Sequence, residues 1–359
     1  MKVLHYVDES NLAWMVPWIA LLKELRGLGV ENVVICRSGG TLSDALDDAK
    51  ILNFSYDPVA QWLPQLTRDL GEMIDRLRPD IIHTRLSAAA YLGGYWGKRK
   101  SIPVISTFDK YPKAKYYKNA DVLVGCSTAV TKYIKTLDLP RAREIVTILN
   151  PIVVESYVRD EAVRVEHRAR IGLEPDDIAV IGMGRFVDWK GWDYYLRAIV
   201  EIPADIPKLK FILVGSGEEG KSLRALAEEL GVRERVSFYP FTLDVRPWLW
   251  ASDIFVQPSY EPEGFSLMLV EAMAAGLAPI ATNIGGSLDV IKDGENGLLV
   301  NPRDATGLRN AIISLLDPEM RKRMAVASQN SLDAVRIDRI AQQTLELYRR
   351  SLTLGKFID

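Results

Sequence analysis

The sequence predicts an α/β protein built from two doubly wound domains. Three observations predict it. Short β-branched or apolar runs alternate with longer helical patterns, as in parallel sheets covered by helices on both faces. Two such series follow one another, each with about six strand candidates. The chain has 359 residues, which at roughly 100–200 residues per domain suits two domains.

In chain order, the first series places strands at Val3–Val7, Val33–Cys36, Ile81–His83, Val104–Thr107, Val122–Gly125 and Ile145–Leu149. Helical periodicity falls at Pro17–Gly27, Leu66–Leu77 and Thr128–Leu137. The second series places strands at Ala179–Gly184, Lys210–Val214, Val236–Tyr239, Ile254–Gln257, Ala278–Thr282 and Gly297–Val300. Its helices fall at Trp192–Glu201, Glu219–Leu230, Ser266–Ala275 and Ala305–Leu316, and Ile337–Leu352 reads as an amphipathic terminal helix. Runs such as Phe211-Ile212-Leu213-Val214 are apolar at consecutive positions, which fits strands buried on both sides. Asn150–Pro175 is the expected seam, with Asn150-Pro151 and a charged stretch from Glu155 to Arg170. Pro151 biases Asn150 away from helix, which suits a chain crossing between domains.

Composition excludes several classes. Apolar residues make up 48% and charged residues 26%, ordinary for a globular protein and foreign to disordered, collagen-like or disulfide-scaffold chains. The two cysteines, Cys36 and Cys126, have no metal-ligand spacing and read as buried thiols. No apolar run reaches the roughly 18 residues of a membrane span. Val3–Val7 is cut off by Asp8 and Glu9, too early for a signal peptide, so a cytoplasmic protein is expected. A net charge of −2 gives no bias toward nucleic acid, and none is expected as a partner.

Three motifs carry chemistry. Gly215-Ser216-Gly217-Glu218-Glu219-Gly220 follows a strand and opens a helix, formally a dinucleotide fingerprint. The acid that should close the next strand is missing, since Val236–Tyr239 runs into Pro240-Phe241. A tight turn lining a nucleotide cleft is the better reading. Gly184-Arg185 and Lys190-Gly191 put two cations after the first strand of the second series, where open α/β sheets bind ligands. An arginine fork and a lysine point charge suit a diphosphate, and solvated surface cations are the plain alternative. Glu263 and Glu271 flank Gly264-Phe265-Ser266-Leu267, where an apolar helix is expected to begin near Gly264. Its first N–H groups would face an anion. Eight helical residues span roughly 12 Å, so the two carboxylates would hold hydroxyls at separate points of a long ligand. For Glu271 a contact between elements, and for Glu263 the helix dipole, are the alternatives.

Glu263–Glu271 resembles the E-x7-E motif of the family 4 retaining glycosyltransferases with the GT-B fold. Gly184-Arg185 with Lys190-Gly191 is similar to that family's phosphate-binding pair, and Leu213-Val214-Gly215-Ser216-Gly217 to its V-G-x-G turn. Gly285-Gly286 with Asp289, then Asp293-Gly294-Glu295-Asn296-Gly297-Leu298-Leu299-Val300, resembles its G-G-x-x-E and G-x-N-G-x-L-V tract. The resemblance implies two Rossmann-like domains facing across a cleft, with the terminal helix crossing back to the first. The expected domains are 1–155 with helix 337–359, binding the acceptor, and 156–336, binding a nucleotide-sugar. It further implies that Arg185 and Lys190 bind the donor diphosphate, Glu263 sugar hydroxyls and Glu271 the ribose. Phe265, Ser266 and Leu267 would offer N–H groups, Gly184, Gly215, Gly217 and Gly264 would line the donor, and Phe241 would lie near the base.

The first half departs from the family pattern. After the first strand the loop reads Asp8-Glu9-Ser10-Asn11-Leu12-Ala13 without the family's glycines, and Ser10 and Asn11 are expected to supply donor contacts instead. In Thr107-Phe108-Asp109, Asp109 stands at the family's catalytic histidine, either orienting an acceptor hydroxyl or lying in a plain turn. In Asp80-Ile81-Ile82-His83-Thr84-Arg85, Arg85 replaces a second histidine, and His83 and Arg85 are the expected acceptor contacts. From Tyr95 to Lys118 there are seven cations and one acid, with Tyr95, Trp96, Tyr111, Tyr116 and Tyr117 interleaved. Such a surface would suit an anionic lipid face, a solvated basic loop being the alternative.

The expectation is therefore a retaining, metal-independent transferase with no cofactor and a nucleotide diphosphate sugar, UDP-sugar favoured, as co-substrate. The expected acceptor is a cell-surface glycan or lipid-linked acceptor at the inner face of the cytoplasmic membrane. The alternatives are a glycogen-synthase-like or disaccharide-forming enzyme with a soluble acceptor, and an inactive nucleotide- or carbohydrate-binding protein.

Overall fold

The computed structural model describes residues 1–12, 14–204, 206 and 208–354. The chain forms two compact units: one comprises Met1–Val153 and resumes at Ala334, the other comprises Val154–Asp333.

The first unit contains β1 (Lys2–Val7), β2 (Glu31–Cys36), β3 (Leu52–Ser55), β4 (Ile81–Arg85), β5 (Val104–Phe108), β6 (Val122–Gly125) and β7 (Glu144–Thr147). They form a parallel sheet in the order β3-β2-β1-β4-β5-β6-β7. Most were legible as apolar runs. β2 starts two residues earlier than its apolar run because buried Asn32 donates to Leu22 O at 2.9 Å and shares a hydrogen bond with His5. β3 was not foreseen: Leu-Asn-Phe-Ser lies at the sheet edge, half exposed, and has no apolar run to mark it. The sheet packs its Val3, Val34, Ile81 and Ile105 against Trp18, Leu22 and Leu25. Ile340, Leu345 and Tyr348 of the terminal helix Ile337–Leu354 join this core. Residues 355–359 of the expected helix lie outside the described residues.

The second unit contains β8 (Ile178–Met183), β9 (Leu209–Val214), β10 (Val236–Tyr239), β11 (Ile254–Gln257), β12 (Ala278–Thr282) and β13 (Leu298–Val300). Their order is β10-β9-β8-β11-β12-β13, again parallel. Val180, Phe211, Ile254 and Ile280 form its core with Tyr195, Leu196, Ile199 and Ile312. Truncating a residue such as Leu196 to alanine should cost about 2–5 kcal/mol. The charged stretch read as a linker is instead the helix Glu161–Arg170. Asp160 caps it by accepting from Ala162 N and Val163 N at 3.0 and 3.1 Å. Two of its arginines turn inward: Arg164 pairs with Asp253 at 2.9 Å, and buried Arg168 donates to Ala251 O and Asp177 O at 2.7 Å each.

In each sheet the strand order reverses once, between β1 and β4 and between β8 and β11. The loops leaving the carboxyl ends of those strands diverge there, which opens the crevice where such sheets bind ligands.

Candidate functional site

At the reversal point of the second unit, the segment after β8 and the segment after β11 meet through one ion pair. Lys190 Nζ lies 2.8 Å from Glu263 Oε2, and both side chains are 13% exposed. Ser259 Oγ, two residues beyond β11, donates to the other carboxylate oxygen at 2.6 Å. The Trp189 ring lies 4.9 Å from the Lys190 ammonium and 5.9 Å from the Arg185 guanidinium carbon, so one indole draws both cations together. Arg185 itself is exposed, while its carbonyl accepts from Trp192 Nε1 at 2.9 Å. Sequence reasoning singled out Arg185, Lys190 and Glu263 but missed Trp189 and Ser259; only their proximity to the motifs signalled them.

The helix after β11 begins within a residue of the expected Ser266–Ala275, and later than a start near Gly264. It runs Leu267–Ala274 with Ser266 as its N-cap, whose Oγ accepts from Leu269 N at 3.4 Å and donates to buried Gln257. Gly264 and Phe265 are therefore loop, and the 12 Å axial spacing of the two glutamates does not apply. What holds this loop is Gly285-Gly286. Gly286 N donates to Glu263 O at 3.2 Å, and Gly285 has φ +59°. A Cβ on Gly285 would come within 2.9 Å of Glu263 N, and one on Gly286 within 2.8 Å of Gly264 O. The following tract is a turn built by Asn296, which donates to Val290 O at 2.9 Å and Ser331 Oγ at 2.7 Å and accepts from Lys292 N at 2.7 Å.

Glu271 projects from the helix and accepts from the Tyr157 hydroxyl at 2.7 Å. Burial raises its pKa above the usual carboxylate range, and the Tyr157 hydrogen bond opposes that. Gly215 and Gly217 pack on the segment that starts at Gly184: Phe186 N donates to Ser216 O at 2.8 Å, and a Cβ on Gly217 would meet the Phe186 backbone at 2.8 Å. Close loop-to-loop packing thus explains these glycines without a pyrophosphate. Phe241, just past β10, is 63% exposed, an open aromatic face.

In the first unit the side chains expected to meet acceptor or donor are engaged with protein partners. Arg85, an expected acceptor contact, and Asp109, read as orienting an acceptor hydroxyl or lying in a plain turn, grip each other: Arg85 Nε reaches Asp109 Oδ2 at 3.2 Å and a second nitrogen binds Oδ1. The same guanidinium donates to Asn150 at 2.9 Å and lies 3.9 Å over the Trp14 ring. His83 shares hydrogen bonds with Tyr348 at 2.7 Å and Thr107 at 2.8 Å, which occupies both ring nitrogens. Burial, with Arg85 and His5 nearby, holds its pKa well below the usual histidine value, so it is a neutral joint to the terminal helix. Asn11 accepts from Thr41 N at 3.1 Å and donates to Ser10 at 3.4 Å, so this pair starts the helix Thr41–Asp48. Ala13 of that loop lies outside the described residues.

The basic segment is also rearranged. Trp96 and Tyr117 are buried, and Lys100 pairs with Asp75 at 2.6 Å. Lys98, Arg99, Lys110, Lys113, Lys115 and Lys118 remain exposed. Tyr116 stacks against Trp62 at 4.6 Å, which brings in a neighbour the sequence reading omitted. Val59, Trp62, Leu63 and Leu66 are exposed, Val59 to 90%. No helix among the described residues is long and apolar enough to cross a membrane. Among them no group of three or more His, Cys, Asp or Glu side chains is placed to hold a metal ion.

Known families and structures are similar to this chain. The model for glycosyl transferases group 1 matches residues 163–331, and that for Glycosyltransferase Family 4 matches residues 18–156. The chain is 31% identical to the lipopolysaccharide core biosynthesis glycosyltransferase LpsE of Rhizobium meliloti, over 92% of this chain and 94% of that one. It is 27% identical to LpsD of the same organism, over 92% and 93%. The crystal structure of Anabaena HepE in complex with UDP superposes with a TM-score of 0.85 at 22% identity, covering 98% of this chain and all of that one.

Proposed function

The chain is a GT-B glycosyltransferase, and from that premise we propose that it is a family 4 enzyme, retaining and metal-independent, using a UDP-sugar. The observation that carries this reading is the Lys190–Glu263 pair at the carboxyl ends of β8 and β11, beside the capped helix N-terminus at Ser266. Arg185, Lys190 and the N–H groups of Phe265, Ser266 and Leu267 bind the donor diphosphate and stabilise its charge as it leaves. Glu263 accepts from sugar hydroxyls once the diphosphate draws Lys190 toward itself. Glu271 accepts from the ribose, and Phe241 stacks on the base. The acceptor attacks on the face the diphosphate leaves, and the departing phosphate takes its proton, so no second carboxylate acts as nucleophile.

The acceptor is a growing cell-surface glycan or lipid-linked glycan, as in lipopolysaccharide or exopolysaccharide synthesis. The likeness to two lipopolysaccharide core transferases supports this, and so does a first-unit surface that combines Lys110, Lys113, Lys115 and Lys118 with Trp62 and Leu63. Such a surface suits an enzyme working at the inner face of the cytoplasmic membrane. A panel of nucleotide-sugars tests the donor: a UDP-sugar should raise the melting temperature and be slowly hydrolysed without acceptor. Stabilisation by no nucleotide-sugar would leave a protein that binds something else.

A further inference from the structure

Glu271 sits on a helix whose sequence, Leu-Met-Leu-Val-Glu-Ala-Met-Ala, is otherwise apolar. A carboxylate there needs a partner, because burying an unpaired charge is costly. Its partner is the Tyr157 hydroxyl, 2.7 Å from Oε1. Tyr157 ends the short turn Val154–Tyr157, the first turn of the second unit. Its own carbonyl accepts from Trp250 Nε1 at 2.9 Å, so backbone and side chain are both fixed. Trp250 follows the loop that carries Phe241, with Arg246 6.0 Å from its ring and paired to Asp244 at 2.8 Å. The ribose and base contacts of the proposed donor site are thus tied together by a residue 114 positions away from Glu271 in sequence.

We propose that Tyr157 is a positioning residue for the donor nucleotide: it pins Glu271 Oε1 and leaves Oε2 to the ribose hydroxyls, giving the enzyme its preference for a ribonucleotide. This rests on the reading of Glu271 as the ribose acceptor. One oxygen held by a rigid donor fixes the carboxylate plane, so the free oxygen meets the sugar edge in one orientation. The tyrosine hydrogen bond also opposes the effect of burial, which raises the pKa of Glu271. The other charges around this pair are Asp244 and Arg246, which neutralise each other, and Arg159, which reaches Gly276 O at 3.4 Å beyond the helix end.

The test is calorimetry with UDP and 2′,3′-dideoxy-UDP on the whole protein, for the unmodified chain, Tyr157→Phe and Glu271→Gln. The unmodified chain should prefer UDP by about tenfold or more, the worth of one charge-assisted hydrogen bond. Tyr157→Phe should lose most of that preference by weakening UDP while leaving the dideoxy nucleotide within about twofold. In the same variant the pH below which UDP binding falls should move upward, because Glu271 loses the hydrogen bond that lowers its pKa. A Tyr157→Phe variant that weakens both nucleotides equally, or keeps the preference while Glu271→Gln loses it, overturns the positioning role alone. If Glu271→Gln keeps the preference, the ribose reading itself falls, and the proposal with it.

Discussion

Arg85 and Asp109, which stand where the family resemblance expects two histidines, form a buried two-point ion pair with each other. The two departures from the family pattern are therefore one change. The pair lies at the carboxyl ends of neighbouring strands β4 and β5, and Arg85 also holds Asn150 near the end of the first unit.

Breaking a buried pair leaves an unpaired charge, whereas replacing both partners by apolar groups is often nearly neutral. Asp109→Ala should therefore destabilise the protein by about 3–5 kcal/mol in urea unfolding. The double variant Arg85→Met with Asp109→Leu should recover most of that loss. Equal destabilisation by the single and double variants would show that the pair is not the source.

Strand positions were legible because a parallel sheet buried on both faces writes continuous apolar runs, as in Phe211–Val214. β3 was illegible because an exposed edge strand needs no such run. The residues of the proposed donor site could be singled out because their chemistry is local, two cations within a short loop and two acids on one segment. Their partners were not: Tyr157 reaches Glu271 from 114 residues away, and Arg85 finds Asp109 across 24. Tyr117 looked like a surface aromatic because sequence alone does not show the Phe108 ring that it stacks on at 3.8 Å.

Lys190→Ala and Arg185→Ala should each lower kcat/KM by roughly ten- to hundredfold, because the leaving diphosphate gains charge in the transition state. Lys190→Ala also leaves the largely buried Glu263 carboxylate with Ser259 as its remaining side-chain partner, so a modest loss of stability should accompany it. Glu263→Ala should keep UDP affinity and cripple sugar transfer. Rates close to the unmodified enzyme for both cation variants, with the donor subsaturating, would sink the phosphate assignment.

His5 is buried against Asn32 and Trp18, and burial lowers its pKa to about 4. The unfolded chain therefore takes up a proton near pH 6.5 that the folded protein refuses. The stability this group contributes is complete above about pH 6.5 and declines as pH falls toward 4, by up to about 3 kcal/mol. His83, whose pKa is lowered in the same way, adds to the slope. Urea unfolding at pH 7 and pH 5 should show that decline, and His5→Gln should reduce it while keeping a partner for Asn32. An equal slope in the variant would place the acid sensitivity elsewhere.

Lys110, Lys113, Lys115 and Lys118 are exposed, and Tyr116 among them stacks on Trp62, so the basic segment and the apolar stretch Val59–Leu66 share one surface. Each lysine near an anionic membrane contributes about 1 kcal/mol. Only some of them can face one plane, which gives roughly 3 kcal/mol of electrostatic attraction. Trp62, Leu63 and Leu66 add an apolar contribution that salt does not screen. The protein should bind anionic vesicles at low salt and neutral ones weakly. At 1 M salt, where the Debye length is about 3 Å, most but not all of the binding should disappear. Replacing the four lysines by serine should remove the salt-sensitive part, and Trp62→Ser with Leu63→Ser should remove the remainder, both leaving UDP affinity unchanged. Protein that ignores anionic vesicles at low salt, with UDP binding intact, would move the acceptor from the membrane into solution.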